Sequence, residues 1–242
     1  MEPKYQSIAE ALRSRIAAGE FAAGRLLPSE AELGREYAAS RMTVRRALDA
    51  LRAEELIDSR QGFGWFVAAP PIRQSLGRLG TIEAQLAESG RRSERHVLGF
   101  GFVDAVGRAA EVLGGGRVLE VRRVNLVDGV PWARVTVWCP EALAENLSLA
   151  AVERATFHEL LEVELAGATQ TIAAVAMGAV DAELLGVPEG SPALVCERVT
   201  YSAAGDAVLV AEHTFPGHLT QFVVELGAVA ASVAPSGLRL VR

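Results

Sequence analysis

The chain has 242 residues, half of them apolar and 22% charged, which is too apolar for a disordered chain and long enough for two modest domains with their own cores. The formal net charge of −6 is unevenly spread: residues 1–78 carry +2 and residues 79–242 carry −8. A weakly basic end on an acidic body is compatible with nucleic-acid binding by that end alone, where the local patch and not the overall sign counts.

The chain starts Met1-Glu-Pro-Lys, with no secretory n-region and no apolar h-region behind it, so a cytoplasmic location is expected. From Tyr5 to Ala18, Ile8, Leu12 and Ile16 recur at helical spacing with Ala9 and Ala11 alongside, and Gly19 stops the run. After a loop, Leu27-Pro-Ser29-Glu30 opens a second helix, with Ser29 as N-cap and Glu32 completing a capping box. Leu33 and Tyr37 supply its inner face. Ser40 caps a third helix in which Val44, Ala47, Leu48 and Leu51 form one buried stripe. Arg41, Thr43, Arg45 and Arg46 crowd the start of that helix on its other faces. Two helices joined by a tight turn, the second with cationic and hydroxyl groups at its N-terminal end, form a helix-turn-helix suited to a DNA major groove. A solvated basic face fits the same residues. Leu56 to Arg60 and Trp65 to Val67 read as two strands around the Gly62 and Gly64 turn, a wing whose glycines permit close approach to a phosphate.

Taken together, Leu27-Pro-Ser-Glu30, Ser40-Arg-Met-Thr-Val-Arg-Arg-Ala-Leu48, Leu56-Ile and Arg60-Gln-Gly-Phe-Gly64 resemble the winged helix-turn-helix domain of the GntR family of bacterial repressors. The resemblance implies DNA contacts by Arg41, Thr43, Arg45, Arg46 and Gly62, with support from Ser29, Glu30, Arg35, Ser40 and Gly64. The wing departs from the family pattern: Phe63 stands where Lys, Arg or a small residue is common, and Trp65, in the place of a common Thr, is expected to pack on the domain core.

Residues 1–68 are thus read as the DNA-binding domain, residues 69–75, with Pro70-Pro71, as a semi-rigid extended linker, and residues 76–242 as a second domain. Thr81 caps a helix start, 96–103 alternates like a strand, and 107–113 is a short helix. Strands at 118–127 and 130–138 meet at Asp128-Gly129, a strong hairpin signal. A helix is expected over 156–165 with Phe157, Leu160, Leu161 and Leu165 inward, then a strand over 169–180, a hairpin over 193–215 and a last strand from Phe222. The uncharged run from Leu165 to Val180 is too short and polar for a membrane span. Cys139 and Cys196 lack metal-ligand spacing and read as reduced thiols packed in strands. Leu113-Gly before Arg123-Val124 is echoed by Leu185-Gly before Arg198-Val199, each followed by a turn, so one antiparallel sheet of two similar halves with helices on one face, an α+β domain, is expected.

This part resembles the effector-binding UTRA domain of the HutC subfamily, which is similar in fold to chorismate lyase, through Asp128-Gly-Val-Pro131, Leu184-Leu-Gly-Val-Pro-Glu-Gly190 and Glu212-His-Thr-Phe215. The resemblance implies a small anionic effector held by Thr81 and Ile82 at a helix start, by Arg123 on a strand, and by Thr156 and His158. Asn125 stands where a second strand Arg is frequent, Val135 where a Glu is usual, and Leu209 and Phe215 where Glu and Tyr fall. The groups that would bond sugar hydroxyls are therefore largely apolar, which favours phosphate, a phosphonate or a compact carboxylate over an amino-sugar phosphate. Arg123 pairing with Glu120 or Glu212, and Thr156 acting only as a helix cap, remain open alternatives. The expectation is a homodimeric metabolite-responsive repressor on pseudo-palindromic operator DNA, of the phosphonate- or phosphate-regulator type, with an activator or dual regulator as the alternative. It needs no cofactor or metal. An enzyme of the lyase-like fold would need a nucleophile, acid–base or metal set that the sequence does not present.

Overall fold

The computed structural model describes residues 3–60, 63–76, 86 and 90–226. In the N-terminal domain α1 (Lys4–Ala17) packs Ile8, Ala9 and Leu12 against the helix-turn-helix. Ser29 accepts from Glu32 N at 3.2 Å while Glu32 Oε2 accepts from Ser29 N at 2.8 Å, and this box starts α2 (Glu30–Glu36). Ser40 accepts from Thr43 N at 3.2 Å and starts α3 (Arg41–Ala53). Val44, Ala47, Leu48 and Leu51 are all fully buried, and each of the larger three contributes about 1.5–3 kcal/mol on leaving water. The wing is the antiparallel pair β1 (Ile57–Arg60) and β2 (Gly64–Val67). Trp65 is buried in this core, as its departure from the family pattern implies.

The chain then forms β3 (Ile72–Ser75), so the expected linker carries a short strand. A six-stranded antiparallel sheet follows in the order β4-β5-β6-β9-β8-β7, built from β4 (Ser93–Asp104), β5 (Arg117–Val127), β6 (Val130–Pro140), β7 (Leu165–Ala176), β8 (Pro192–Ser202) and β9 (Ala207–Pro216). β4-β5-β6 mirrors β7-β8-β9 about the central β6–β9 pair, as the internal echo predicts. Before β5 comes α4 (Gly107–Leu113), and before β8 comes α8 (Ala179–Leu185), each ending on a left-handed Gly, Gly114 or Gly186. The short helices α5 (Glu141–Ala144), α6 (Leu149–Arg154) and α7 (Phe157–Leu160) lie between the halves.

Three expectations are corrected. Helices cover both faces: Ala144, Val152 and Phe157 join the core over the inner face, while Ala182 and Leu185 of α8 pack with Val124 and Leu126 on the outer one. The helix expected over 156–165 stops at Leu160; Leu161 is already extended (φ −81°, ψ 129°), and Leu165 pairs with Ser202 as the first residue of β7, so sheet pairing overrides local helical spacing. The last strand, β10 (Thr220–Val223), pairs in parallel with β3 outside the main sheet, because residues 72–75 offer a partner that periodicity alone does not reveal.

The two domains meet on the outer face. Phe63 at the wing tip is turned inward, buried with Phe66, Val124, Leu126 and Leu185. His218 lies 4.4 Å from the Phe63 ring and 5.1 Å from that of Phe66, and its Nε2 is 3.0 Å from Gly24 O. Arg25 Nη1 donates to Leu185 O at the end of α8. Gly24 has φ +77°, a conformation that favours glycine, and a Cβ there would also displace the Leu219 side chain. Burial depresses the His218 pKa below its ordinary 6.5, and the nearby Arg60 and Arg25 charges act in the same direction. As pH falls, the unfolded chain therefore binds this proton before the folded one does. The stability contributed by neutral His218 is complete above about pH 6.5 and is lost below it. Urea unfolding at about pH 7.5 and about pH 5.5 should show this decline. His218→Gln should flatten it, and an equal decline in the variant would assign the effect to other groups.

Candidate functional site

At the DNA-facing end, Glu30 ties three elements together. Its carboxylate accepts from Arg41 Nε at 2.7 Å and from Trp65 Nε1 at 3.3 Å, and Arg45 Nε stands 3.9 Å away. The Arg41 guanidinium is the main reason the Glu30 pKa lies below the carboxylate norm. Arg41 and Arg45 remain well exposed, at 80% and 61% of their side chains, so the carboxylate orients them without removing them from the surface. The Ser40 and Thr43 hydroxyls are bonded to each other at 2.8 Å. Arg46 lies over the Tyr5 ring, 4.4 Å from its centroid, on the α1 side of the helix. Arg35 is exposed near the end of α2, and Gly64 has φ +101° where β2 begins. Gly62 lies outside the described residues.

The second site lies on the inner face of the large sheet. Strand alternation sends Glu120, Arg122, Glu212 and Glu197 outward, where Glu212 accepts from Arg134 at 2.8 Å and Glu197 from Arg108 at 2.9 Å. The same alternation sends Arg123, His213 and Arg198 inward, to the wall of a cavity with a free interior of about 80 Å³. At roughly 10–15 Å³ per water this holds a handful of waters, and so a compact ligand. The start of α7 brings Thr156 and His158 to the same cavity, and β3 brings Gln74 and Ser75. Val137, Leu209 and Phe215 form its apolar part. Among the described residues none that lines it is acidic.

Two matches place this architecture. Residues 4–67 match the model of bacterial regulatory proteins of the gntR family, and residues 88–221 match the UTRA domain model. The chain belongs to the GntR family. Within it, this is a UTRA-containing transcriptional repressor of the HutC type. It is 29% identical to the HTH-type transcriptional repressor NagR of Bacillus subtilis over 91% of this chain and 93% of that one. Identity is 28% with the histidine utilization repressor of Pseudomonas putida, over 83% of each chain. The mannosyl-D-glycerate transport/metabolism system repressor MngR of Escherichia coli is 30% identical over 67% of this chain and 69% of that one. Among solved structures, PhnF from Mycobacterium smegmatis superposes with a TM-score of 0.60 at 26% identity, covering 91% of this chain and all of that one.

In this GntR-family chain the expected effector residues divide. Arg123, Thr156, His158 and Phe215 come together in the cavity wall. Asn125 is buried on the inner side but is not part of the wall, and its side-chain amide has no hydrogen-bond partner among the described residues. Thr81 and Ile82 fall outside the described residues. Thr156 caps α7 and its hydroxyl donates to Glu159 at 2.8 Å, so the expected donation to an anion competes with that bond. Glu120 and Glu212, the other partners considered for Arg123, lie on the outward side of their strands, where Glu212 accepts from Arg134 and Glu120 accepts from Trp138 at 3.0 Å and sits 3.3 Å from Arg122. Sequence reasoning did not place Arg198, His213 and Gln170 in this site, although the alternation in β8 and β9 carried the signal. It also passed over Met42, whose side chain stands 79% exposed beside Arg41 on the reading helix.

Proposed function

We propose that this repressor binds pseudo-palindromic operator DNA as a homodimer and that a small anionic metabolite in the inner-face cavity controls its affinity. The observation that carries the effector class is a compact cavity whose wall brings Arg123 and Arg198 together with the hydrogen-bonding side chains of Thr156, His158 and His213. A cavity so lined favours an anion electrostatically, and an arginine fork can hold a carboxylate, phosphate or phosphonate through paired N–H bonds. Val137, Leu209 and Phe215 make one stretch of the wall apolar, while Gln74, Ser75, Gln170 and Thr200 supply polar groups elsewhere in it. Support for the DNA side is the exposed Arg41, Met42 and Arg45 surface at the start of α3, with the half-buried Thr43 beside it and Arg46 held toward α1 in position for a backbone phosphate. Met42 can meet a thymine methyl.

Arg45→Ala should cost about 1–3 kcal/mol of operator binding if Arg45 reads a base, and should weaken all duplexes alike if it holds phosphate. Fluorescence anisotropy with operator and scrambled duplexes separates the two roles, and unchanged binding to both would remove Arg45 from the interface. For the cavity, calorimetric titration with phosphate, a simple phosphonate, a short carboxylate and glucosamine 6-phosphate should give binding among the first three. Tight binding of the amino-sugar phosphate alone would overturn the compact-anion reading.

A further inference from the structure

The six-stranded sheet has two outer edges, and they are finished differently. Along β4 the edge is blunted in several ways. Glu94, Arg95, His96 and Asp104 put charge on it, and its register with β5 breaks between Val97 and Gly99. The Arg122 guanidinium lies against Gly99, 2.8 Å from where a Cβ would stand. α6 packs against the same strand, and Arg95 Nη1 donates to Ala155 O at 3.0 Å. Charge, bulges and covering helices are the usual means of keeping a free edge from pairing. β7 is finished otherwise. Leu165–Ala176 include no acidic or basic side chain, and the pairing with β8 breaks once, between Leu165 and Gly167, then runs unbroken to Ala176. Among the described residues no strand lies on its other side. Thr169, Thr171, Ala173 and Val175 follow one another along one face and are exposed. At about 3.4 Å per residue β7 presents roughly 40 Å of edge, along which alternate residues turn their N–H and C=O away from β8.

We propose that β7 is the surface on which two copies of this chain meet, the strand pairing antiparallel with its own copy across a two-fold axis and joining two six-stranded sheets into one. The proposal rests on the homodimer reading above and assigns its interface. A second copy is the partner that the charge distribution favours. Residues 79–242 carry −8, so contact through the charged surfaces of this domain sets like charges against each other, whereas two β7 strands meet with none. A strand of the same length also satisfies the free N–H and C=O groups along the full edge, and a contact of one surface with itself closes at two copies. Pairing there also touches the effector cavity. Gln170 of β7 accepts from Arg198 Nε at 2.8 Å, and both line the cavity, so the pairing strand is one side of its wall.

The test is sedimentation equilibrium of the full chain over a range of micromolar concentrations, where the unaltered chain should be a dimer. Thr171→Lys with Ala173→Lys should raise the dimer dissociation constant about tenfold or more, and Thr171→Glu with Ala173→Glu should do the same. An equimolar mixture of the lysine and glutamate forms should regain the dimer, because opposite charges then face each other across the strand pair. That recovery also separates weakened association from misfolding. The single changes Ala173→Lys and Ala173→Glu, mixed in the same way, serve if the double changes do not fold. Leu98→Lys, at an exposed position of β4, should leave the dimer intact. A dimer that persists in both altered forms, or that Leu98→Lys dissociates while the β7 changes do not, would overturn the interface and leave the homodimer reading standing. Folded lysine and glutamate forms that stay monomeric when mixed would do the same. A monomeric unaltered chain would remove both.

Discussion

Two adjacent residues of one strand face opposite ways, and the rest of the molecule is arranged around that fact. Arg123 points into the inner cavity; Val124, the next residue of β5, packs on the outer face with Phe63 and Phe66 of the wing. A strand cannot turn one of these side chains without moving the other, because successive Cβ atoms alternate across the pleat. A second connection runs along the end of β9, where Phe215 lines the cavity and His218, three residues on, sits between the wing aromatics. A third is covalent: the wing strand β2 leads through residues 68–71 into β3, whose Gln74 and Ser75 also reach the cavity. The cavity wall and the support of the DNA-binding domain are therefore parts of the same short segments.

At the other end, Glu30 performs a comparable joining role on a smaller scale. One carboxylate receives donors from the reading helix and from the wing strand, so the orientation of Arg41 is linked to the position of Trp65. Phe63 completes the linkage. This chain buries the Phe63 ring in the domain interface, so the wing tip is seated on the second domain.

The helix-turn-helix and the repeat of the second domain were legible in the sequence because their signals are local. A serine cap followed by an apolar stripe, or a Gly-ended helix followed by a hairpin, is complete within about a dozen residues. What was not legible depends on register between distant segments. Arg198 meets the cavity because β8 lies beside β9 and Gln170 lies across from it on β7, a relation that appears only once the strands are paired. The parallel pairing of β3 with β10 joins residues far apart in the chain and breaks the antiparallel rule of the main sheet. The short α7 failed differently: Leu165 carries a helical spacing that is also satisfied as the first residue of a strand.

A link between cavity and operator through the shared strands is tested most directly by the operator affinity of the full chain, measured with and without a saturating anion that binds the cavity. The expected result is a change of about fivefold or more, the lower end of ordinary coupling between sites, that is lost in Arg123→Gln. An operator affinity unmoved by an anion shown to occupy the cavity would contradict it.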